Sequence, residues 1–299
     1  MRNKIDFVVA TYNPDKEVFS ECIESIKNQV NNIIVIDNAS NFDISTILDQ
    51  VEIENKEFKI IKLKENKGIA YALNRGIELS LESNSDYILI SDQDTIYPQN
   101  YINEMLSVFE KSTDHNIVAI VPLFADVNKK RENEGFYKET LFGYKKFYPK
   151  KGTYSVFQAI SSGMILKTKN LKKIGLFNEN LFIDWVDFEW CWRANKKGYK
   201  ILGNADVLIT HSLGNQKVNL KYREVNLRNP IRHYYITRNA FYLALYDKNL
   251  TFLQKFFLFV LSFKYLIGYP LLSKPHIKNL SYVFKGFFHG ILGKLGKLK

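Results

Sequence analysis

The chain contains 299 residues, of which 46% are hydrophobic and 24% charged, and this composition excludes a disordered chain, a collagen-like repeat and a disulfide scaffold. Its two cysteines, Cys22 and Cys191, indicate a reducing compartment, and no secretion signal is recognised at the N-terminus, so a cytoplasmic protein is expected. The net charge is +11, yet residues 251–299 alone carry eight lysines and no Asp, Glu or Arg. The basic character therefore belongs mainly to the C-terminal tail.

Short apolar runs alternate with longer amphipathic stretches in the first 122 residues. Five runs, rich in β-branched residues and apolar on both faces, predict buried strands: Ile5–Ala10, Ile33–Ile36, Phe58–Leu63, Tyr87–Ile90 and Ile117–Val121. Apolar residues at helical spacing predict three helices between them: Lys16–Gln29, Gly68–Leu81 and Gln99–Phe109. This alternation implies βαβ crossovers, and hence an α/β protein with a mostly parallel central sheet in a three-layer α/β/α sandwich.

The pattern changes in the second half of the chain. Residues 125–155 are rich in Gly, Lys and Tyr and predict a surface loop that covers an acceptor site. A strand-like run over Val156–Leu166, interrupted by Ser161-Ser162-Gly163, is followed by a helix over Asp187–Lys196 and a strand within Lys200–Ile209. From Arg228-Asn229-Pro230 onward the sequence is aromatic and predicts helices.

Polar residues follow three of the predicted strands at the point where each strand ends. Thr11-Tyr12-Asn13 follows the first strand, Asp37-Asn38-Ala39-Ser40 the second and Ser91-Asp92-Gln93-Asp94 the fourth. Ligands of such sheets bind beyond the carboxyl ends of the strands, which makes these residues candidates for a binding site. The glycine motifs of Rossmann dinucleotide sites and of P-loop nucleotidases are absent from the sequence.

Asp92 and Asp94 stand two residues apart directly after a buried strand. Two such carboxylates can bind a hard divalent cation through oxygen ligands, with phosphates completing the coordination shell. The alternative is an acidic turn before the helix that begins near Pro98, since aspartate favours such positions. The position after the strand favours the cation site.

Four segments in the first 100 residues together resemble a glycosyltransferase of the GT-A fold, family 2. They are, in order, Val9–Asn13, Val35–Ser40, the Asn-x-Gly…Asn-x-Gly segment Asn66–Gly76, and Ser91–Asp94 in the place of the family's Asp-x-Asp. The resemblance implies contacts with a nucleotide-diphospho-sugar from the following residues: Thr11, Tyr12, Asn13, Asp37, Asn38, Lys67, Gly68, Asn74, Asp92 and Gln93. It also implies a Mg²⁺ or Mn²⁺ ion held by Asp94 and Asp92, with His211 in its His-x-x-Gly context as a further candidate ligand.

The downstream half resembles the same family. Ser161–Met164 resembles the strand that approaches the sugar and the acceptor, and Phe182–Arg193 resembles the acidic helix start that supplies the catalytic base. Asp187 matches the position of the base, and Asp184 is a nearby competitor. The resemblance implies sugar or acceptor contacts from Ser162, Gly163, Trp185 and Arg193.

Several of these residues have structural alternatives. Asp187 can be a favourable acid in the first turn of a helix, and Glu189 with Arg193 can be an i, i+4 ion pair. The tryptophans Trp185, Trp190 and Trp192 can be core residues, of which one stacks on a sugar. A lone histidine such as His211 is usually structural.

The resemblance implies an inverting, metal-dependent transfer of a sugar to a hydroxyl of a lipid-linked glycan in bacterial O-antigen, capsule or cell-wall polysaccharide synthesis. The segment Ile183–Cys191 and Arg232–Asn239 most resemble the rhamnosyltransferase branch, so dTDP-rhamnose is the expected donor. A UDP-hexose, carrying galactose, glucose or GlcNAc, is the main competitor as donor. A protein of the same fold that binds nucleotide sugars or glycans without turnover remains the alternative from another class.

The resemblance divides the chain into a GT-A domain, residues 1–245, and a tail, residues 246–299. Within the domain, residues 1–122 form the nucleotide-sugar half and residues 123–245 the acceptor half.

The tail combines eight lysines with 11 Phe and Tyr from residue 251 onward, which favours binding to an anionic membrane surface at the inner face of the cell membrane. Its longest uncharged apolar block, Phe256–Phe263, is too short to span a bilayer. The alternative is a helical extension that packs on the catalytic domain or on a partner subunit. No nucleic-acid partner is expected, because the body is balanced in charge and lacks nucleic-acid motifs.

Overall fold

The computed structural model describes residues 3–49, 51, 57–126, 133–211, 217–220, 223–226 and 228–299. Its first half alternates strands and helices as the sequence predicts. The elements are β1 (Ile5–Thr11), α1 (Lys16–Ile26), β2 (Asn32–Asp37), α2 (Ser45–Leu48), β3 (Glu57–Lys62), α3 (Ile69–Glu82), β4 (Tyr87–Ser91), β5 (Thr95–Ile96), α4 (Tyr101–Lys111) and β6 (Ile117–Asp126). The five predicted strands and three predicted helices are confirmed. The last three residues of the first predicted helix, Lys27–Gln29, form a 3₁₀ helix that follows α1.

The second half contains more strands than the sequence analysis predicts. The elements are β7 (Phe136–Thr140), β8 (Gly143–Phe147), β9 (Thr153–Val156), β10 (Met164–Lys167), α5 (Thr168–Ile174), α6 (Val186–Lys196), β11 (Lys200–His211), β12 (Lys217–Leu220), β13 (Arg223–Asn226), α7 (Pro230–Tyr246), α8 (Phe252–Leu272) and α9 (His276–Ile291). The stretch 125–155, predicted to be a loop, contains the hairpin β7–β8, and residues 127–132 lie outside the described residues. The run Val156–Leu166 is divided between β9 and β10.

The central sheet has the order β3-β2-β1-β4-β10-β6-β11-β5, with β9 also paired to β11. Neighbours β3, β2, β1 and β4 are parallel, and β6 is parallel to β11. Strand β10 runs antiparallel between β4 and β6, so the sheet is mostly parallel but mixed. The chain leaves β1 toward β2 and β3 and returns to the other side of β1 with β4, which makes the ends of β1 and β4 the topological switch point.

Both faces of the sheet are buried, which explains the continuous apolar runs. In β1, Val8 and Ala10 pack into the core that contains α3 and α6, whereas Phe7 and Val9 face the core that contains α1 and α4. Successive side chains of a strand point to opposite faces, so a strand covered on both sides needs apolar residues at every position. The chain therefore has the predicted α/β architecture, a mostly parallel central sheet between helices, with added C-terminal helices.

The three C-terminal helices pack on one another and on the catalytic body. Phe241 of α7 makes edge-to-face contacts with Phe259 and Phe263 of α8 and with Phe287 of α9, at centroid distances of 5.4, 5.3 and 4.8 Å. Gly286 of α9 allows the close approach, because a Cβ there would lie 2.6 Å from the carbonyl oxygen of Tyr234. The packing agrees with the reading of the tail as a helical extension on the catalytic domain.

Helix α8 is longer than the apolar block Phe256–Phe263, whose short length predicts that the tail does not span a bilayer. It runs for 21 residues with a mean hydropathy of 1.4, and only 17% of that window is buried. Within the part of the chain that the structure describes, it is the single helix whose length and composition would allow it to cross a membrane, and one such helix is weak evidence for a span.

Candidate active site

A cleft of about 710 Å³ opens at the carboxyl ends of β1 and β4, at the switch point of the sheet. One side is formed by residues that follow the parallel strands, among them Thr11, Asn38, Asp92 and Asp94. The other side is formed by the segment before α6 and by the C-terminal helices. The cleft thus brings together residues that lie more than 250 positions apart in the sequence.

Two buried oxygen atoms at the ends of β1 and β2 have no hydrogen-bond partner among the described residues, one on Thr11, which lines the cleft, and one on Asp37, which is not among the lining residues. Asp37 is fully buried and its Oδ1 accepts a hydrogen bond from the backbone N–H of Ser40 at 2.9 Å, but its Oδ2 is unpartnered, as is Oγ1 of Thr11. Buried polar atoms are almost always hydrogen-bonded, since an unpaired one costs free energy. The two atoms therefore mark a place where a ligand or a water would complete the hydrogen bonding.

Asn38 and Asn66 build the turn that precedes α3. The side-chain oxygen of Asn38 accepts from the backbone N–H of Lys67 at 2.8 Å, and its amide donates to Oδ1 of Asn66 at 3.1 Å. Gly68 has φ +91°, and a Cβ there would collide with the backbone of Phe182. The start of α3 at Ile69 lies in the cleft, where the helix dipole favours anions, although the N–H of Ile69 itself donates to the carbonyl of Phe182 at 2.8 Å.

The remaining predicted nucleotide contacts differ in their placement. Tyr12 and Gln93 line the cleft and are joined by a hydrogen bond from the Tyr12 N–H to Oε1 of Gln93 at 2.8 Å. Asn13 instead holds the neighbouring loop, because its Oδ1 accepts from the N–H of Asn41 at 2.8 Å. Lys67 lies beside the cleft with its ammonium over the ring of Tyr71, 4.7 Å from the centroid.

Asn74 does not reach the cleft. It is buried, and its amide donates to the carbonyl of Phe177 at 2.9 Å and to Oε1 of Glu179 at 2.8 Å, while its Oδ1 accepts from the N–H of Phe177. The side chain thus joins α3 to the segment before α6. The predicted donor contact of Asn74 is replaced in the structure by this structural role.

Asp92 and Asp94 lie in the turn between β4 and β5 and both line the cleft. Ser162 positions this turn: its hydroxyl accepts from the Asp92 N–H at 3.1 Å and lies 2.6 Å from Oγ1 of Thr95. No group of three or more His, Cys, Asp or Glu able to hold a metal occurs among the described residues. Two carboxylates with phosphate oxygens are nevertheless a typical donor set for Mg²⁺, so Asp92 and Asp94 fit a cation that is bound together with a diphosphate.

Asp187 lies in the first turn of α6 and faces the cleft. Its Oδ2 accepts from the N–H of Ser161 at 3.2 Å, and its Oδ1 accepts from the N–H of Phe188 at 3.0 Å. Burial raises the pKa of this carboxyl from 3.8 to about 7, and the negative charge of Asp92 adds to the rise, against the two hydrogen bonds, which lower it. A carboxyl with a pKa near neutrality can accept a proton from a substrate.

Asp184 also lines the cleft, but its carboxylate is paired. Arg232 donates to both oxygens, with Nη2 at 3.0 Å from Oδ1 and Nε at 3.1 Å from Oδ2. The pair is bidentate, and the pKa of Arg232 is raised chiefly by the charge of Asp184. The two neighbouring acids therefore have different environments, one paired with a cation and one desolvated.

The segment that carries Asp184 has an unusual backbone. Phe182, Asp184 and Trp185 adopt positive φ angles of 66°, 62° and 66°. Such angles cost free energy for residues other than glycine, so the surrounding structure has to enforce them. Asn239 of α7 does so: its amide donates to the carbonyls of Leu181, Ile183 and Asp184 at 3.0, 2.8 and 2.9 Å. The sequence analysis noted Asn239 only as part of a resemblance and did not predict this role.

Three of the four predicted sugar or acceptor contacts lie outside the cleft lining. Ser162 is buried, with its hydroxyl against the turn that carries Asp92 and Asp94. Gly163 has φ +75°, and a Cβ at this position would lie 2.7 Å from the side chain of Ile209. Arg193 forms the i, i+4 ion pair with Glu189 that was the structural alternative, with Nε 2.9 Å from Oε1. It also donates to the carbonyls of Ile174 and Leu176.

Trp185 is the predicted contact that does line the cleft, and its indole N–H donates to the carbonyl of Ile236 at 3.1 Å. Trp190 and Trp192 are buried in the core. For His211, the backbone at the end of β11 pairs with Thr95, but its side chain and Gly214 lie outside the described residues.

The structure adds residues to the cleft that the sequence analysis did not select. Tyr137 and Tyr144 come from the hairpin β7–β8, Arg228 from the segment before α7, Arg232 from the first turn of α7, and Tyr265 and Tyr269 from α8. The tail helix is therefore part of the cleft wall and does not lie apart from the catalytic body. A tyrosine spacing of four on a predicted helix is the only sequence signal that could have suggested it.

The fold and the carboxylate-lined cleft at the ends of the parallel strands define a GT-A glycosyltransferase. The sequence model of Glycosyl transferase family 2 matches residues 6–175, so the chain belongs to glycosyl transferase family 2. It is 30% identical over 250 residues to the dTDP-rhamnosyl transferase RfbF of Shigella flexneri, an alignment that covers 81% of this chain and 80% of the relative.

Solved structures support the fold alone. S. aureus TarS 1-349 in complex with UDP-GlcNAc aligns with a TM-score of 0.61 and 16% identity, over 96% of this chain and 81% of that chain. GalNAc-T7 with UDP, GalNAc and Mn²⁺ aligns with a TM-score of 0.61 and 12% identity, over 98% of this chain and 56% of that chain.

Proposed function

We propose that this glycosyltransferase transfers L-rhamnose from dTDP-rhamnose, with inversion, to a hydroxyl of a lipid-linked glycan in bacterial surface polysaccharide synthesis. The observation that carries the reaction is the desolvated carboxyl of Asp187, which shares one cleft with the Asp92–Asp94 turn. The relative from Shigella flexneri, whose printed name is dTDP-rhamnosyl transferase, supports the choice of donor. A UDP-hexose is the second candidate donor, because the TarS complex binds UDP-GlcNAc.

Asp187 is the proposed general base. The acceptor oxygen attacks the anomeric carbon while its proton passes to the Asp187 carboxylate, and the bond from the anomeric carbon to the diphosphate oxygen breaks with its electron pair on that oxygen. Asp184 is less suited to this task because Arg232 occupies both of its oxygens. One base and no covalent nucleophile imply a single displacement, and hence inversion.

The strand side of the cleft is the proposed donor site. The unpartnered Oγ1 of Thr11, in the cleft lining, would bind a hydrogen-bond donor of the nucleotide, and the unpartnered Oδ2 of Asp37 at the end of the neighbouring strand would do so directly or through a water, while the start of α3 would face the diphosphate. Asp94 and Asp92 would hold Mg²⁺ or Mn²⁺. When bound, such a cation neutralises the charge that develops on the leaving diphosphate.

The donor is tested by thermal unfolding and turnover with dTDP-rhamnose, UDP-galactose, UDP-glucose and UDP-GlcNAc, each with and without Mn²⁺. We expect dTDP-rhamnose with Mn²⁺ to stabilise the chain most, by about 2.7 kcal/mol at a hundredfold excess over Kd. Asp94→Asn should remove the part of the stabilisation that depends on Mn²⁺, while the matched variant Asp86→Asn, outside the cleft, should keep it.

A larger shift with a UDP-sugar would overturn the assignment of the donor. If the chain binds a nucleotide sugar but neither hydrolyses nor transfers any of the four, the result would instead support a non-catalytic binding protein.

The exposed face of α8 and α9 is the proposed contact with an anionic membrane at the cytoplasmic side. Large apolar side chains point outward along both helices, including Phe252, Ile267, Leu271 and Ile277 with exposed fractions of 79, 64, 69 and 84%. The same region carries eight lysines and no acidic residue. Apolar side chains and lysines on one surface are typical of helices that bind anionic lipid headgroups.

Vesicle sedimentation tests this contact. The full chain should sediment with phosphatidylglycerol-containing vesicles and much less with pure phosphatidylcholine, and high salt should weaken the binding because it screens the lysines. The double variant Ile267→Glu/Leu271→Glu should lower vesicle binding about tenfold or more, since each charge must enter an anionic interface. Leu208→Glu, at an exposed apolar residue of β11, is the control.

Equal sedimentation of the unaltered chain, the double variant and the control variant would refute the membrane contact. Deletion of residues 251–299 is a poor test, because α8 forms part of the cleft.

A further inference from the structure

Four tyrosines line the part of the cleft wall that the hairpin β7–β8 and helix α8 form. Tyr265 and Tyr269 reach it from α8, and Tyr137 and Tyr144 reach it from the hairpin β7–β8. We propose that these four residues, here called the tyrosine wall, form the subsite that binds the acceptor glycan. This inference rests on the proposed function and assigns its second substrate to residues of the tail helix.

The rings of the tyrosine wall are held in a defined arrangement. Tyr265 and Tyr269 are nearly parallel, with centroids 5.4 Å apart and an interplanar angle of 9°, and Tyr269 stacks on His233 at 3.8 Å. In the hairpin part of the same wall, the rings of Tyr137 and Tyr144 are nearly perpendicular, with centroids 5.3 Å apart. Such packing keeps the rings in place without a ligand, so little side-chain entropy would be lost on binding.

The two halves of the wall are fastened to each other. The amide of Gln254 in the first turn of α8 donates to Oε1 of Glu139 in β7 at 2.8 Å, and Phe257 packs on Phe142 of the hairpin at 4.6 Å. The hairpin and the tail helix therefore form one continuous surface. Without α8 the cleft would lack this side, which is why the tail belongs to the site.

The tyrosine wall also adjoins the proposed base. The ring of Tyr137 lies 5.9 Å from that of Phe188, the residue after Asp187. The charge of Asp187 contributes to the raised pKa of Tyr137, after burial and two nearer groups, and the charge of Asp184 contributes to that of Tyr265. An acceptor bound on the wall would thus present a hydroxyl to Asp187 from the side opposite the Asp92–Asp94 turn.

The chemistry of the wall matches a sugar ring. The hydroxyls of Tyr137, Tyr265 and Tyr269 form no hydrogen bond with another residue in the described ranges, so they can donate to and accept from a ligand. A pyranose offers an apolar face to aromatic rings and hydroxyls to hydrogen-bond donors and acceptors. The donor, by contrast, would place its diphosphate at the proposed donor site, near the start of α3 and the Asp92–Asp94 turn.

Binding of simple glycosides to the full chain tests the inference without requiring turnover. The probes are octyl rhamnoside, octyl N-acetylglucosaminide and octyl galactoside, titrated by saturation-transfer NMR in the presence of dTDP. Tyr265→Phe and Tyr269→Phe should each weaken the binding of the preferred glycoside about 3- to 10-fold, the effect of one lost hydrogen bond. Tyr282→Phe, in α9 and outside the cleft lining, is the matched control and should bind like the unaltered chain. Binding of dTDP should stay the same in all variants.

Three results would overturn the acceptor site: no glycoside binds, the two variants bind as tightly as the control, or binding of dTDP weakens with that of the glycoside. Binding of octyl glycerol as tight as that of the glycosides would overturn it too, by assigning the wall to a lipid chain. If the chain has no transferase activity but binds glycosides through Tyr265 and Tyr269, the proposed reaction would be refuted and the glycan-binding site would stand. Sugar transfer with an acceptor KM that neither variant changes would refute the site and leave the reaction.

Discussion

Asp187→Asn is expected to lower sugar transfer about 10²- to 10⁴-fold, the usual contribution of a general base, while binding of the donor is retained. The amide is nearly isosteric with the carboxyl and can still accept from the N–H of Ser161, so the turn before α6 should keep its shape. The measurement is kcat for transfer together with thermal stabilisation by the donor. Asp206→Asn, whose carboxylate accepts from the N–H of Gly152 outside the cleft, is the control.

The pH dependence should report the same group. Because burial raises the pKa of Asp187 to about 7, kcat/KM should rise as pH increases toward 7 and level off above it, where the carboxylate is charged. A raised carboxyl pKa also means that the folded chain binds a proton that the unfolded chain releases, so this group destabilises the fold as pH rises from 3.8 toward 7. Asp187→Asn should therefore raise Tm more at pH 8 than at pH 5, by about 2 °C or more. Full activity of the variant would exclude Asp187 as the base.

Asn239→Ala is expected to destabilise the chain by about 2–4 kcal/mol and to lower kcat more than it changes the KM for the donor. The two N–H groups of the amide are shared among three carbonyls of the segment with positive φ angles, and each lost hydrogen bond costs about 1 kcal/mol. Without it, Asp184 and Trp185 can relax toward ordinary φ angles and displace the start of α6, where Asp187 lies.

A comparison of two further variants separates positioning from mere stability. Asn239→Asp places an acceptor against carbonyl oxygens and should lose more activity than Asn239→Ala. Asn195→Ala removes an amide that donates to the carbonyl of Phe157 at 2.8 Å, so it should lower Tm without a comparable loss of kcat. If all three variants lose kcat only in proportion to Tm, Asn239 does not position the base.

Much of the fold was predictable because its signals are local. The strands β1, β2, β4 and β6 have mainly apolar, buried interiors because helices cover both faces of the sheet, and this pattern is visible in the sequence, whereas β3 at the edge of the sheet alternates with lysine. The hairpin β7–β8 was predicted as a loop because its strands are rich in Lys, Tyr and Gly and largely solvent-facing. Short strands of that composition lack the apolar alternation by which strands are recognised.

The candidate site was predicted best where a residue follows a strand. Thr11, Asn38, Asp92 and Asp94 reach the cleft because the ends of parallel strands meet at one edge of the sheet. Asn74, Ser162 and Arg193 carry equally polar side chains but point away from the cleft, to neighbouring backbone groups or to Glu189. Whether a polar side chain binds a ligand or a backbone group depends on contacts with segments distant in the sequence, which a motif does not contain.

The basic, aromatic tail shows the same division. The sequence alone determined its composition, eight lysines and no acidic residue, and its helical character. The tertiary structure alone decided that one face of α8 places Tyr265 and Tyr269 in the cleft while another remains exposed. The physical reason is that composition is a property of the chain, whereas the orientation of a helix is set by what it packs against. Here that is the ring cluster around Phe241 and the hydrogen bond from Gln254 to the hairpin.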